Sequence, residues 1–175
     1  MKAWGFARLI VIAILVYDGP IIAQTEHAAE PLAVMEFGVS VERSLSSHES
    51  SYGPTVAVET TISERWLEVE AGVTPLFGHH STEWGTDLIF KKPWTLSSRA
   101  EFMLGVGPEW IHSNVPGGPA NAGAIEVVPD FMFWPKGQHR FGWYLEPSYE
   151  YKLGADHEHS IAIAGGLLIG IGKRR

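Results

Sequence analysis

The sequence predicts an all-β fold, eight antiparallel strands closed into an up-and-down transmembrane barrel. Three observations predict it. First, stretches such as AEFMLGVGPEW (100–110) alternate with period two. Ala100, Phe102, Leu104, Val106 and Trp110 fall on one face and Glu101, Gly105, Gly107 and Glu109 on the other, with Met103 as the exception. That alternation marks a strand with one apolar face, and no window carries a convincing helical period. Second, eight such segments follow one another, with Gly, Pro, Asn and Ser clustered between them where turns belong. Third, aromatic residues of the apolar face gather towards strand ends, as interfacial girdles do.

The segments run over 34–43, 54–63, 65–76, 83–92, 98–111, 122–134, 139–153 and 159–172. In the first, Met35, Phe37, Val39 and Val41 oppose Glu36, Gly38, Ser40 and Glu42; in the second, Val56, Val58 and Ile62 oppose Ala57, Glu59 and Thr61. The third sets Val69, Ala71 and Val73 against Glu68, Glu70 and Gly72. The fourth places Trp84 and Phe90 on the apolar face and Asp87 on the polar one, and the fifth is the alternating stretch quoted above. In the sixth, Ile125, Val127, Phe131 and Phe133 oppose Glu126 and Asp130; in the seventh, Phe141, Trp143, Leu145, Tyr149 and Tyr151 oppose Arg140, Glu146, Ser148 and Glu150. The eighth sets Ile161, Ile163, Leu167, Ile169 and Ile171 against Ser160, Ala162, Ala164 and Gly166. Connections alternate between short turns (63–65, the KKPWTLS region, PKGQ) and longer loops (RSLSSHESSYGP, PLFGHHSTE, HSNVPGGPANAG, GADHEH). An even strand number with that asymmetry puts both chain ends on the short-turn side of a membrane barrel.

Residues 1–23 have the anatomy of a secretory signal peptide: Lys2 and Arg8, an apolar run from Leu9 to Tyr17, and Ala23 before Gln24. The run is too short to span a bilayer as a helix. Residues 24–33 then form a short periplasmic lead and 34–175 the barrel domain. Residues 1–23 carry Lys2, Arg8 and Asp18, a net of +1, so removing them takes the formal charge from −7 to −8. An acidic chain without a basic run argues against a nucleic-acid partner. With no cysteine, disulfide stapling is excluded.

Alternation alone also fits a secreted soluble barrel or sandwich binding a small apolar ligand. The two aromatic belts favour lipid outside, as does the Gly, Ala and Ser content of the polar face, because eight strands enclose a narrow interior. By parity that interior is acidic. Glu36, Glu59, Glu68, Glu70, Glu101, Glu126, Asp130, Glu146 and Glu150 point inward, joined by Glu42, Asp87 and Glu109. Arg99 and Arg140 are the clearest cations of this network, with Lys91 and Lys152 near the ends. Buried charge demands partners, so a polar plug is expected, with part of the carboxylates holding a proton or a cation. An open conduit needs more strands.

Here the mature chain resembles the small eight-stranded bacterial outer-membrane barrels, the class of the outer-membrane protein A membrane domain. The resemblance rests on pattern, with no family motif, and the chain ends GIGKRR where such proteins usually end in an aromatic residue. It implies residence in a Gram-negative outer membrane, lipid and possible lipopolysaccharide contacts, and a monomer. The role it implies is structural or at the cell surface, with limited porin-like passage of solutes or ions as the next expectation. A lipid hydrolase resembling the lipid A deacylase barrels is the enzyme alternative. Its local candidates are His112 and Ser113 in WIHSN, but adjacent residues of a strand point to opposite faces. No bound cofactor is expected beyond a divalent metal at loop histidines. His79, His80, His157 and His159 are the candidates, since imidazole with carboxylate suits Zn²⁺, Cu²⁺ or Ni²⁺.

Overall fold

The computed structural model describes residues 31–79, 81–114, 120–136, 139–153 and 157–173. The leader expected at 1–23 and most of the lead lie outside them. Eight strands follow in order: β1 (Ala33–Ser44), β2 (Ser50–Ser63), β3 (Leu67–Phe77), β4 (Thr82–Ser97), β5 (Ala100–Ser113), β6 (Asn121–Phe133), β7 (Phe141–Leu153) and β8 (His159–Ile171). Each pairs antiparallel with its sequence neighbour, and β1 closes on β8 from Ala33↔Ile171 to Ser44↔Ser160. Closure leaves no sheet edge, which an apolar solvent would punish with unpaired backbone groups. At 11 to 16 residues, every strand is long enough to cross a bilayer when tilted.

The connections differ from expectation. One barrel end, the turn end, carries 64–66, 98–99 and 134–140 together with both termini of the barrel. The other, the loop end, carries 45–49, 78–81, 114–120 and 154–158, so the length asymmetry is small. Strands simply run on into stretches that read as loops. β2 starts at Ser50, with Pro54 paired to Val39, and β4 carries KKPWTLS through to Ser97. Proline misled at Pro54, Pro75 and Pro93, which stand in stretches that read as connections and lie in β2, β3 and β4. Pro54, Pro75, Pro108, Pro129 and Pro147 all lie inside strands. Regular pairing lapses between Tyr52↔Phe77 and Val56↔Val73, between Asp87↔Glu109 and Phe90↔Val106, and between Val127↔Tyr149 and Phe131↔Leu145. Each lapse holds at least one of these prolines, which lack the N–H a ladder bond needs.

The inside-out parity holds all round the wall. Outward residues such as Val39 (65% exposed), Val41, Val58, Val106, Ile125, Ile163 and Leu167 (64%) form a continuous apolar belt, while Glu36, Glu59, Glu70, Lys91 and Asp130 are buried within. A protein that buries its charges and exposes its valines is built for an apolar surrounding. Both girdles form. Towards the turn end, Trp94 stacks on Phe102 (5.6 Å), Phe102 meets Phe131 (5.0 Å) and Phe133 stacks on Trp143 (4.0 Å). Towards the loop end lie Tyr52, Phe77, Trp84, Trp110 and Tyr149, all exposed.

The inward face is not uniformly polar. At the turn end Val34, Met103, Met132, Trp134, Tyr144, Ala164 and Leu168 form a buried apolar cluster. Met103, the exception in the alternation, is one of its members.

The belt predicts a depth-dependent penalty. Val106→Arg, at the middle of β5, is expected to lower the unfolding free energy in lipid by about 2–4 kcal/mol, and Leu153→Arg at a strand end by about 1 kcal/mol or less. Denaturant titration of both variants refolded into vesicles reads the difference.

Candidate functional site

The lumen is organised around one lysine. Lys91, inward on β4, is fully buried, and its stem lies against Gly105 of β5, its ladder partner. A Cβ on Gly105 would sit 2.8 Å from Lys91 Cγ, so only glycine leaves room for the stem. Lys91 Nζ donates hydrogen bonds to Glu70 Oε2 (2.5 Å), Asp130 Oδ2 (2.8 Å) and Glu146 Oε2 (2.9 Å). Those bonds use all three donors of an ammonium. Glu59 Oε2 adds an ion pair at 3.4 Å. Carboxylates from β2, β3, β6 and β7 thus converge on a cation from β4. Asp130 and Glu146 lie in the lapse of the β6–β7 ladder, next to Pro129 and Pro147.

Glu36 of β1 joins the same knot: Glu36, Glu59, Glu70 and Asp130 each bring an oxygen within 4.8 Å of the others. Glu36 Oε1 and Asp130 Oδ1 are buried without a hydrogen-bond partner. Beyond the knot towards the loop end, a cavity of about 50 Å³ is lined by Glu42, Asp87, Glu109, Glu126, Ser148 and Ser160 among others. That is room for a few waters. Near the loop end Lys152 Nζ donates to Glu83 Oε2 (3.1 Å) and lies 3.9 Å from Glu150 Oε1. Ser113 in turn donates to Glu83 Oε1 (3.3 Å). At the turn end a wider mouth of about 550 Å³ runs over Trp66, Glu68 and Trp94 to Met132 and Trp134 of the apolar cluster.

The sequence candidates separate cleanly. Glu36, Glu59, Glu70, Asp130 and Glu146 meet at the knot, and Glu126 and Glu150 line the cavity above it. Glu68 accepts from Thr61 (3.3 Å) and Glu101 from the Trp134 indole (3.3 Å), both at the turn-end mouth. Arg99 and Arg140, expected in the lumen, are exposed instead. Both lie in connections, beyond the strand ends where parity applies, and Arg140 rests over the Phe141 ring at 5.6 Å. Lys91 takes their place. Its parity with Asp87 was visible, but which acids face it depends on the register between strands.

His112 and Ser113 do not form a nucleophile–base pair. His112 faces outward, stacked on Trp110 with Nδ1 3.0 Å from Asn121 Oδ1, whereas Ser113 is bonded to Glu83. His157 and His159 share the outer rim of the β7–β8 hairpin. His157 Nδ1 lies 2.6 Å from the Tyr151 hydroxyl, and His159 Nδ1 is bonded to that of Tyr149. His79 is exposed, and His80 lies outside the described residues. Among the described residues, the grouping with metal-ligand geometry is the carboxylate set of the lumen rather than the histidines.

Fold and interior together define an eight-stranded barrel of the transmembrane kind, apolar outside and with a cluster of paired charges inside. No family model and no curated protein matches the sequence. Solved structures do match the fold. Neisserial surface protein A aligns with a TM-score of 0.62 at 10% identity, over 79% of this chain and 96% of that one. The N-terminal β-barrel domain of Pseudomonas aeruginosa OprF aligns at 0.57 with 11% identity, over 79% and 98%. The outer membrane enzyme PagL aligns at 0.53 with 10% identity, over 78% and 99%. At such identities the likeness is one of fold.

Lys91→Met strands several buried carboxylates without their cation. It is expected to cost about 3–5 kcal/mol, the scale for breaking a buried ion pair from one side. Lys152→Met, at a partly exposed pair, is expected to cost about 1 kcal/mol or less. Urea midpoints of the refolded variants compare the two.

Proposed function

We propose that this chain is an integral protein of a Gram-negative outer membrane, working through its lipid-facing wall and loop-end rim rather than as a channel or an enzyme. The observation that carries the reading is the inverted distribution of polarity: a valine- and leucine-rich belt between two aromatic girdles around a core of paired charges. The solved barrels it resembles include an outer membrane enzyme and a Neisserial surface protein, which supports the same compartment. In this setting the turn end faces the periplasm and the loop end the exterior.

Passage of solutes is disfavoured by the Lys91 knot, which places six charged side chains from β1, β2, β3, β4, β6 and β7 across the lumen. Hydrolysis is disfavoured by the opposite facing of His112 and Ser113. What remains exposed at the outer rim is chemically distinctive. Tyr149, Tyr151, His157, His159, Trp110 and His112 project from the wall, amphipathic rings of the kind that settle at the headgroup level. We read them as contacts to outer-leaflet lipid, lipopolysaccharide included.

Three measurements test this on one preparation. Expressed with residues 1–23 in a Gram-negative host, the protein is expected in the outer-membrane fraction with Gln24 at its N-terminus. Unboiled, it should migrate differently from the boiled form and require detergent for its β-spectrum. In planar bilayers it should give no steady conductance. A monodisperse β-protein in plain buffer would overturn the membrane reading, and regular conductance steps the closed lumen.

A further inference from the structure

The acidic knot holds more charge than its lysine answers. Five carboxylates, Glu36, Glu59, Glu70, Asp130 and Glu146, surround a single ammonium. Lys91 engages one oxygen each of Glu59, Glu70, Asp130 and Glu146 and makes no ion pair with Glu36. Three oxygens are buried without a hydrogen bond: Glu36 Oε1, Asp130 Oδ1 and Glu59 Oε2, the last holding only its 3.4 Å ion pair with Lys91. Leaving charged acceptors buried and unsatisfied is costly, and a second cation is the ligand that satisfies several together.

We propose that the knot is a binding site for one hard divalent cation, Ca²⁺ in the first place, held by carboxylate oxygens of Glu36, Glu59, Glu70 and Asp130 beside Lys91. The donor set is all oxygen, which selects Ca²⁺, Mg²⁺ or Mn²⁺ over softer metals. Ca²⁺, the most tolerant of irregular geometry, suits a set of four carboxylates from four strands. Oxygens facing each other across Ca²⁺ lie about 4.6–5.2 Å apart, and across Mg²⁺ about 4.0–4.2 Å. The four oxygens here all lie within 4.8 Å of one another, close enough to share one such ion. The cavity of about 50 Å³ that touches Glu36 and Glu70 has room for the waters that complete the shell. Lys91 is then a tethered competitor. It shares three of the four ligands, so it limits affinity, and the ion and the ammonium together neutralise what neither does alone.

The test uses the full mature chain refolded in detergent, with Mn²⁺ as the spectroscopic probe and Ca²⁺ as competitor. Electron paramagnetic resonance of free Mn²⁺ should report one site that Ca²⁺ displaces. Glu36→Gln, which leaves every Lys91 contact in place, should weaken it at least tenfold. Lys91→Met should tighten it, and the surface variant Glu64→Gln should leave it unchanged. If Glu36→Gln does not fold, the wild-type protein still decides: its urea midpoint should rise with Ca²⁺ in the millimolar range. A folded barrel that takes up no Mn²⁺ at millimolar concentration, or binds it equally well in Glu36→Gln, overturns the site. A chain that folds only without detergent sinks the membrane reading, yet the same titration still decides the cation site.

Discussion

The ammonium of Lys91 is the interaction on which the interior depends. A narrow barrel cannot hydrate its inward carboxylates with bulk water, and their mutual repulsion would push apart the strands that carry them. One buried cation reverses that. It ties β6 and β7 to β4 across the lumen and adds side-chain links to β3, its ladder neighbour, and to β2. Below the knot the apolar cluster around Trp134 and Met103 lines the turn end, and the mouth there reaches Glu59 of the knot.

The wall is adapted to this filling. Glycine stands where a neighbour's inward chain needs the space. A Cβ on Gly72 would meet the Asp87 carboxylate, and one on Gly105 the Lys91 stem. Prolines mark where the ladders lapse, and the β6–β7 lapse carries Asp130 and Glu146. Two ligands of the lysine therefore come from a wall segment where the regular ladder lapses.

Function in such a molecule divides by surface. The belt is generic, set by bilayer thickness. The lumen gathers five acids around one lysine at the knot. The outer rim pairs tyrosine hydroxyls of β7 with His157, in the β7–β8 connection, and with His159 of β8. Those imidazoles pair with outward tyrosines rather than with one another across the barrel mouth.

Strand number, facing and belts were all legible in the sequence, because each rests on period two and on local turn chemistry. Phe37, Val106 and Leu167 declare their side by parity alone, and Glu36 and Glu70 declare theirs. Loop lengths were less legible, since Pro54 and Pro93 read as breakers and a closed wall tolerates them within strands. The register between strands is a global quantity, set by closure and shear, and parity does not contain it. For that reason the sequence could not say that Lys91, rather than Arg99 or Arg140, answers the acids, nor that Glu36, Glu59, Glu70 and Asp130 meet at one point. It determined which residues face inward. Only the closed barrel decided which of them touch, because contact across a lumen depends on how far each strand has slid along its neighbour.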